Sequence, residues 1–278
     1  MKNNVVKIEK VIKSKQKCLA MLAPSFVTDF KYPSIITQLR QFGIDKVVEL
    51  TFGAKMINRD YHKKLKNTKK ILISSTCPGV VSYIENNHPE LIGNMMPIDS
   101  PMVAMAKICK KYFPDYKIIF ISPCSMKKLE AEKTKYVDYV IDYQQLKLLF
   151  EKNNIKESNA EAQFDKFYND YTKIYPLSGA LYKTAHIDGI LKSNQVTVID
   201  GIKDVSKFLE KPNKKVLFLD CLFCEGGCIG GPHTNKELKI RDKKHLVKKY
   251  LKKAKKEDIK DCRKGVIKKA NGIKFSKD

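Results

Sequence analysis

Three short apolar runs each lead into cysteine, and this repeated arrangement constrains the fold more than any other feature of the sequence. Short apolar runs that alternate with amphipathic stretches are typical of parallel strands buried between two layers of helices. Functional groups in such folds gather where the parallel strands end. We therefore expect the thiols to meet at one place. The runs and their cysteines are residues 71–75 with Cys77, residues 117–121 with Cys124, and residues 215–219 with Cys221, Cys224 and Cys228.

The hydrophobic pattern predicts an α/β fold along most of the chain. Strands are predicted at residues 18–23, 46–50, 71–75, 117–121, 136–141, 196–200 and 215–219. Helices are predicted at residues 34–42, 80–86, 100–113, 144–152, 178–192, 205–209 and 243–256. The polar stretch 153–167 has no clear hydrophobic period, so we expect a surface insertion or a hinge there.

Length and composition favour a folded protein of a reducing compartment. The chain has 278 residues, of which 43% are hydrophobic and 30% charged, enough to bury a substantial core. No apolar run approaches the length of a membrane span, and residues 1–16 lack the apolar centre of a secretory signal. We therefore expect a cytoplasmic protein whose eight cysteines are metal ligands or unpaired thiols rather than disulfides.

The chain is strongly basic, but the kind of charge argues against nucleic-acid binding. Lysine and arginine together number 54 against 30 acidic residues, yet only four are arginine, the residue best suited to reading bases and gripping phosphates. Half of the net charge of +24 falls in residues 236–278, which hold 18 basic and 6 acidic residues. We expect the helix predicted there to dock on the body, and an acidic partner protein is the sharper alternative. Its apolar face comprises Leu246, Val247, Tyr250, Leu251 and Ala254.

The spacing of the cysteines favours an iron–sulfur cluster over zinc. Structural zinc is usually held by two close pairs of ligands, whereas here one CxxxC pair, Cys224 and Cys228, is joined by lone cysteines after other strands. Separate segments that each supply a thiolate suit a cluster wedged between them. A zinc site formed by Cys221, Cys224, Cys228 and His233 is the alternative.

Three motifs together resemble the catalytic, H-cluster domain of the iron-only (FeFe) hydrogenases. They are residues 74–80 (SSTCPGV), residues 122–130 (SPCSMKKLE) and residues 224–231 (CEGGCIGG). In order and approximate spacing they match the family segments TSCCPGW, MPCxxKKxE and CxxxC followed by a glycine pair. The resemblance covers about residues 17–232, and the combination of the second and third motifs is its most specific part.

The resemblance implies a role for each residue that matches a family motif. A diiron unit with carbon monoxide, cyanide and dithiolate ligands would be bridged to a 4Fe–4S cluster through Cys228, and Lys127 would hydrogen-bond a cyanide. Ser100 and Pro101 would line the pocket of the diiron unit, with the turn at residues 176–179 as a weaker candidate. The ligands of the 4Fe–4S cluster would be Cys77, Cys124, Cys224 and Cys228.

Several positions depart from the family, chiefly along its proton path. Thr76 stands where typical hydrogenases have a proton-relaying cysteine, and a hydroxyl is a weak general acid. Met96 falls at the serine of that path, and Ser122 replaces a methionine. These losses resemble the divergent, sensory branches of the family. The glutamates of the path fall near Asp60, Tyr61 and Lys64. Candidates for another path are Asp60, Asp99 and Glu130.

The resemblance also implies an architecture and an activity. Two packed lobes, each a small parallel sheet with helices, would hold the cluster in the cleft between them. This domain would span residues 17–232, between a basic N-terminal segment, residues 1–16, and a basic helical extension, residues 233–278. The implied reaction interconverts H2 with protons and electrons, slowly because of Thr76. The alternatives are a hydrogen-sensing module with the same cofactor and a 4Fe–4S protein without the diiron unit.

The expected partners follow from the same resemblance. No CxxCxxC run for accessory clusters is present, so electrons would come from a separate ferredoxin-like protein. Sensing would require a regulatory partner, and the diiron unit would require maturation proteins. Oxygen destroys exposed clusters, so we expect an anaerobic host. Cys18, Cys109 and Cys262 are expected to be bystanders, whereas Cys221 is either a bystander or a modulating ligand.

Overall fold

A computed structural model describes residues 2–277 and contains two parallel β-sheets. The strands are β1 (Cys18–Leu22), β2 (Lys46–Glu49), β3 (Leu72–Ile73), β4 (Lys117–Ser122), β5 (Tyr139–Asp142), β6 (Val196–Asp200) and β7 (Phe218–Leu222). The first sheet has the order β2-β1-β4-β5 and the second β3-β7-β6, and every pairing within them is parallel. The predicted α/β fold with two small parallel sheets is therefore confirmed.

Helices flank both sheets. They are α1 (Lys2–Lys13), α2 (Ser34–Gln41), α3 (Thr51–Leu65), α4 (Pro78–Asn87), α5 (Pro101–Tyr112), α6 (Met126–Glu132), α7 (Tyr143–Lys152), α8 (Ala180–Thr184), α9 (Ile202–Glu210) and α10 (Ile240–Ala254). The prediction of one helix over residues 178–192 is wrong, since only α8 is α-helical there. The backbone of His186 adopts a left-handed φ of 53°, which an α-helix cannot accommodate. Helices α1, α3 and α6 were not predicted.

The first sheet is buried on both faces, which explains why its strands read as continuous apolar runs. All five residues of β1 are buried. Leu19 and Met21 pack in one hydrophobic cluster with residues of α3 and α5. Ala20 and Leu22 point to the opposite face and pack with residues of α2 and α7. This alternation is the expected consequence of the two-residue period of a strand.

The C-terminal part of the chain packs onto the body. Helix α10 buries Val247, Tyr250 and Ala254 and leaves most of its lysines exposed, as the sequence predicts. Beyond it, Ser276 forms an antiparallel bridge with Ile98. The segment 153–167 contains no helix or strand among the described residues, yet it buries Phe164 and Phe167. Within residues 2–277, no helix has both the length and the apolar character needed to cross a membrane.

Candidate metal centre

Four of the predicted ligand thiols come together where strands of both sheets end. Cys77 follows β3, Cys124 follows β4, and Cys224 and Cys228 follow β7. The four lie close enough to interact electrostatically, since Cys77, Cys124 and Cys224 each raise the pKa of Cys228. The convergence expected from the sequence is therefore present in the fold.

Two of the thiols lie at helix N-termini, where unpaired backbone N–H groups favour a thiolate. Cys77 is the N-cap of α4, and Pro78 occupies the first turn of that helix. Cys124 lies two residues before α6, and its sulfur accepts backbone hydrogen bonds from Met126 and Lys127. The same N–H groups can bond to the sulfurs of a bound cluster.

The CxxxC loop is shaped by glycine and is held against a distant segment. Gly226 and Gly227 have φ values of 79° and 77°, in the region that other residues rarely adopt. A Cβ on Gly227 would lie 2.7 Å from the Pro176 carbonyl oxygen. Cys228 donates its backbone N–H to the same oxygen at 2.8 Å. Pro176, which the sequence marks only as a weaker candidate, therefore fixes the position of Cys228.

Burial favours the protonated form of Cys124, Cys224 and Cys228 in the protein without metal, because it raises the pKa of each thiol. Burial, followed by the neighbouring cysteines, raises the pKa of Cys224 to about 11 and that of Cys228 further. The same causes raise the pKa of Cys124, and the ammonium of Lys127 opposes the shift at both Cys124 and Cys228. Iron must displace these protons, so binding of a cluster releases protons.

The arrangement differs from that of a single-ion site. Within residues 2–277, no three His, Cys, Asp or Glu side chains are grouped to hold one metal ion. In a 4Fe–4S cluster each thiolate binds its own iron, so the four sulfurs need not converge on one point. Two of the four alternative zinc ligands have other neighbours: Cys221 is fully buried beside Ser74, and His233 faces Asp142 at 3.6 Å.

A cavity of about 90 Å³ lies beside the thiols, and its walls include six of the eight predicted site residues. Cys77, Cys124 and Cys228 line it together with Lys127, Thr76 and Pro101, so six of the eight meet there. The remaining wall is largely apolar and includes Ala23, Ala54 and Phe120. The cavity therefore offers one cation in an otherwise apolar chamber.

The Lys127 ammonium is held in place by two partners. Its Nζ lies 2.6 Å from Oε2 of Glu130 and donates to the Thr76 carbonyl oxygen at 3.4 Å. Both members of the ion pair are largely buried, with 12% and 15% of their side-chain surfaces exposed. Low exposure strengthens the interaction of this cation with any anionic group that enters the cavity.

Tyr175 adds a feature that sequence reasoning missed. It lines the cavity, and its buried hydroxyl has no hydrogen-bond partner among the described residues. A buried hydroxyl without a partner is destabilising, so an occupant of the cavity with an acceptor atom would satisfy it. The four thiols, the Lys127 cation and this hydroxyl together fit a metal cofactor that carries hydrogen-bond acceptors.

The other predicted residues lie around this centre rather than within it. Ser100 caps α5, where its Oγ accepts from the backbone N–H of Val103 at 3.4 Å, and Pro101 follows in the cavity wall. Met96 is buried in the core. Asp99 pairs with Lys107 at 2.6 Å. Asp60 lies in a separate surface cleft.

Comparison with known proteins identifies the family. Residues 16–232 match the family described as "Iron only hydrogenase large subunit, C-terminal domain". The chain belongs to this family. Iron hydrogenase 1 of Clostridium pasteurianum is 26% identical over 261 residues, covering 72% of this chain and 46% of that protein. The chain thus spans about half the length of the curated hydrogenases it matches.

Other similar proteins include an iron–sulfur cluster assembly factor and a hydrogenase of known structure. The cytosolic Fe-S cluster assembly factor NAR1 of Kluyveromyces lactis is 34% identical over 108 residues, covering 36% of this chain and 23% of that protein. A solved structure of a variant of [FeFe]-hydrogenase HydA1 from Chlamydomonas reinhardtii matches with a TM-score of 0.71 at 15% identity, covering 95% and 90% of the two chains. This structural likeness shows the shared fold.

Proposed function

We propose that this chain binds a 4Fe–4S cluster joined through Cys228 to a diiron unit, and that it interconverts H2 with protons and electrons. The Lys127 ammonium carries this proposal, because it is held in an apolar cavity beside Cys228 by Glu130 and Thr76. This cation favours the thiolates of Cys124 and Cys228, and in the apolar cavity it would also donate a charge-assisted hydrogen bond to an anionic cyanide ligand of the diiron unit.

Each residue of the candidate metal centre has a defined task in this proposal. The thiolates of Cys77, Cys124 and Cys224 anchor the cluster, and Cys228 anchors it and the diiron unit. Lys127 and Tyr175 hold ligand atoms by donating hydrogen bonds. Pro101 and Phe120 exclude water from the chamber. The bound cofactor supplies the chemistry by which H2 is split or formed.

Slow turnover follows from the residue at position 76. The Thr76 hydroxyl is a much poorer proton donor than a cysteine thiol at neutral pH, and general acid catalysis contributes about 10²–10⁴-fold when a suitable group is present. Met96 cannot extend a proton path, because its side chain carries no exchangeable proton. Proton delivery is therefore the step that we expect to limit the rate.

Electron transfer would occur with a separate protein. Cys224 is only half-buried and the adjacent Phe223 is 36% exposed, so this edge of the cluster site approaches the surface. A ferredoxin-like, acidic partner suits the net charge of +24. We further propose that the protein acts in the cytoplasm, and that maturation proteins supply the diiron unit.

A second candidate function is that of a 4Fe–4S protein without the diiron unit. The replacement of the relay cysteine by Thr76 favours it, and so does the similarity to NAR1 assembly factors. A hydrogen-sensing module with the full cofactor is also compatible with Thr76. In that case H2 would alter the cofactor without rapid turnover.

Infrared spectroscopy tests the proposal. The chain is reconstituted anaerobically with iron and sulfide and then loaded with a synthetic diiron precursor. Bands of iron-bound carbon monoxide and cyanide are expected, together with their shift under H2. A spectrum without such bands, from protein shown to carry four irons, would support the second candidate instead. Shifts under H2 without turnover would support sensing.

Matched variants distinguish the residues that hold the diiron unit from those that hold the 4Fe–4S cluster. Lys127→Met is expected to retain four irons but to lose or shift the cyanide bands. Lys133→Met, on an exposed lysine just after α6, provides the control and should change neither. Cys224→Ser should lower iron content, whereas Cys262→Ser, at an exposed thiol, should not.

A further inference from the structure

A large cavity of the described structure lies away from the metal centre. It has a volume of about 950 Å³ and opens between the C-terminal half of α3 and the segment 270–276. The residues that line it do not line the cavity beside the thiols. We call it the basic cleft.

The rim of the basic cleft carries six cations and one carboxylate, Asp60. Among the described residues, none of the six cations forms a salt bridge. Lys70 donates to the carbonyl of Gly93, which is neutral. Unbalanced positive charge therefore surrounds a concave surface. The cations are Arg59, Lys63, Lys64, Lys69, Lys70 and Lys274.

A favourable interaction with the dipole of α3 accounts for only some of the cations around the basic cleft. Lys63 and Lys64 lie in the last turn of α3, where cations interact favourably with the helix dipole. Arg59 and Lys63, however, are like charges four residues apart, which destabilises a helix slightly. Lys69 and Lys274 belong to other segments altogether. An anionic ligand in the cleft would stabilise all of these charges together.

The floor and far wall of the cleft are firmly built. Its lining includes Met56 and Leu72 from the hydrophobic core. The segment 270–276 is held to α5 by Lys111, which donates to the Asn271 carbonyl at 2.6 Å. Phe275 accepts the backbone N–H of residue 99 at 2.9 Å. The cleft therefore combines a charged rim with an apolar floor between fixed walls.

We propose that the basic cleft binds an organic polyphosphate of nucleotide size. Ammonium and guanidinium groups are effective phosphate ligands. The volume lies at the upper end of the range for small-molecule sites. An apolar floor suits the organic part of such a ligand. The exposed lysines of α10, in contrast, lie on the outer face of a docked helix.

Binding of ATP and of inorganic tripolyphosphate to the full chain tests this inference by calorimetry, under reducing conditions. Lys63→Glu with Lys274→Glu should weaken ATP binding by about tenfold or more, because two charge-assisted contacts become repulsive. The control pair, Lys248→Glu with Lys252→Glu on α10, makes the same change of net charge away from the cleft. It should weaken binding by less than about threefold.

A second pair of variants tests the role of the apolar side chains that line the cleft. Ile273→Ser should weaken binding of ATP but not of tripolyphosphate, and Ile267→Ser, at an exposed position outside the cleft, should alter neither. Equal losses in both double variants would overturn the proposal, since binding would then reflect net charge alone. Failure of ATP to bind would also overturn it, and cleft-dependent binding of polyglutamate instead would show a protein-docking surface. Thermal unfolding checks that each variant is folded.

Discussion

A buried ion pair ties α10 to the first sheet, and its removal should be costly. Nζ of Lys173 lies 2.5 Å from Oε2 of Glu49, the last residue of β2, and 2.7 Å from the hydroxyl of Tyr250 on α10. The side chains of Lys173 and Glu49 are 0% and 1% exposed. The rings of Tyr250 and Tyr168 also face the ammonium, at 4.3 and 4.6 Å from their centroids.

Removing the lysine leaves a carboxylate in the core. Loss of one partner of a buried ion pair typically costs about 3–5 kcal/mol. Burial already raises the pKa of Glu49, so this carboxyl can take up a proton and reduce the cost. We therefore expect Lys173→Met to lower the free energy of unfolding by about 3 kcal/mol at pH 7, the lower end of that range.

Urea unfolding of the cluster-free protein measures this effect. Lys31→Met serves as the control, because the Lys31–Glu157 pair is 77% and 53% exposed and should contribute less than about 1 kcal/mol. Glu49→Gln with Lys173→Met should cost less than the sum of the two single changes, because the double variant leaves no unpaired charge. A cost for Lys173→Met no larger than that of the control would refute this reasoning.

Three further predictions concern the metal centre and its surroundings. Thr76→Cys should raise H2 evolution of the loaded protein by about tenfold or more, whereas Thr76→Ser should not, because only the thiol is an effective proton donor. Tyr175→Phe should raise the free energy of unfolding of the cluster-free protein by about 1 kcal/mol, because it removes an unpaired buried hydroxyl; a loss of stability would contradict this. Burial raises the pKa of Asp220 from 3.8 to about 6, so the folded state holds its proton more tightly than the unfolded state. Stability should therefore fall by roughly 3 kcal/mol between about pH 4 and pH 6 relative to Asp220→Asn, and a constant difference would refute the assignment.

The strands and the four thiols could be predicted because their signals are local. An apolar run followed by cysteine reports both a buried strand and the group at its end, as β4 and Cys124 show. The short β3 was recognisable for the same reason. Its two residues are buried and lead through Thr76 to Cys77.

Helix α3 escaped prediction because its packing depends on contacts that local sequence does not reveal. A Cβ on Gly53 would lie 2.7 Å from the backbone nitrogen of Met105 and the carbonyl oxygen of Pro101. The glycine therefore lets α3 and α5 approach closely, whereas in the sequence it reads as a helix breaker.

The buried environments of two polar side chains could not be predicted, for a related reason. Lys173 reads as a surface residue, and only the fold places aromatic rings and Glu49 around it. The unpaired state of the Tyr175 hydroxyl depends on every neighbour in space, so no sequence pattern could have signalled it.

The four thiols do not all follow strands of the same sheet, and this has a consequence for how the centre assembles. Cys77, Cys224 and Cys228 follow strands of the second sheet, whereas Cys124 follows a strand of the first. A cluster bound by all four thiols acts as a cross-link between the sheets. The bond to Cys124 is the one that joins the first sheet to the cluster. Iron held by the other three thiols could bind before the sheets are fixed together. Cys124→Ser should therefore leave a cluster that exchanges iron more readily and a protein in which the two sheets unfold less cooperatively.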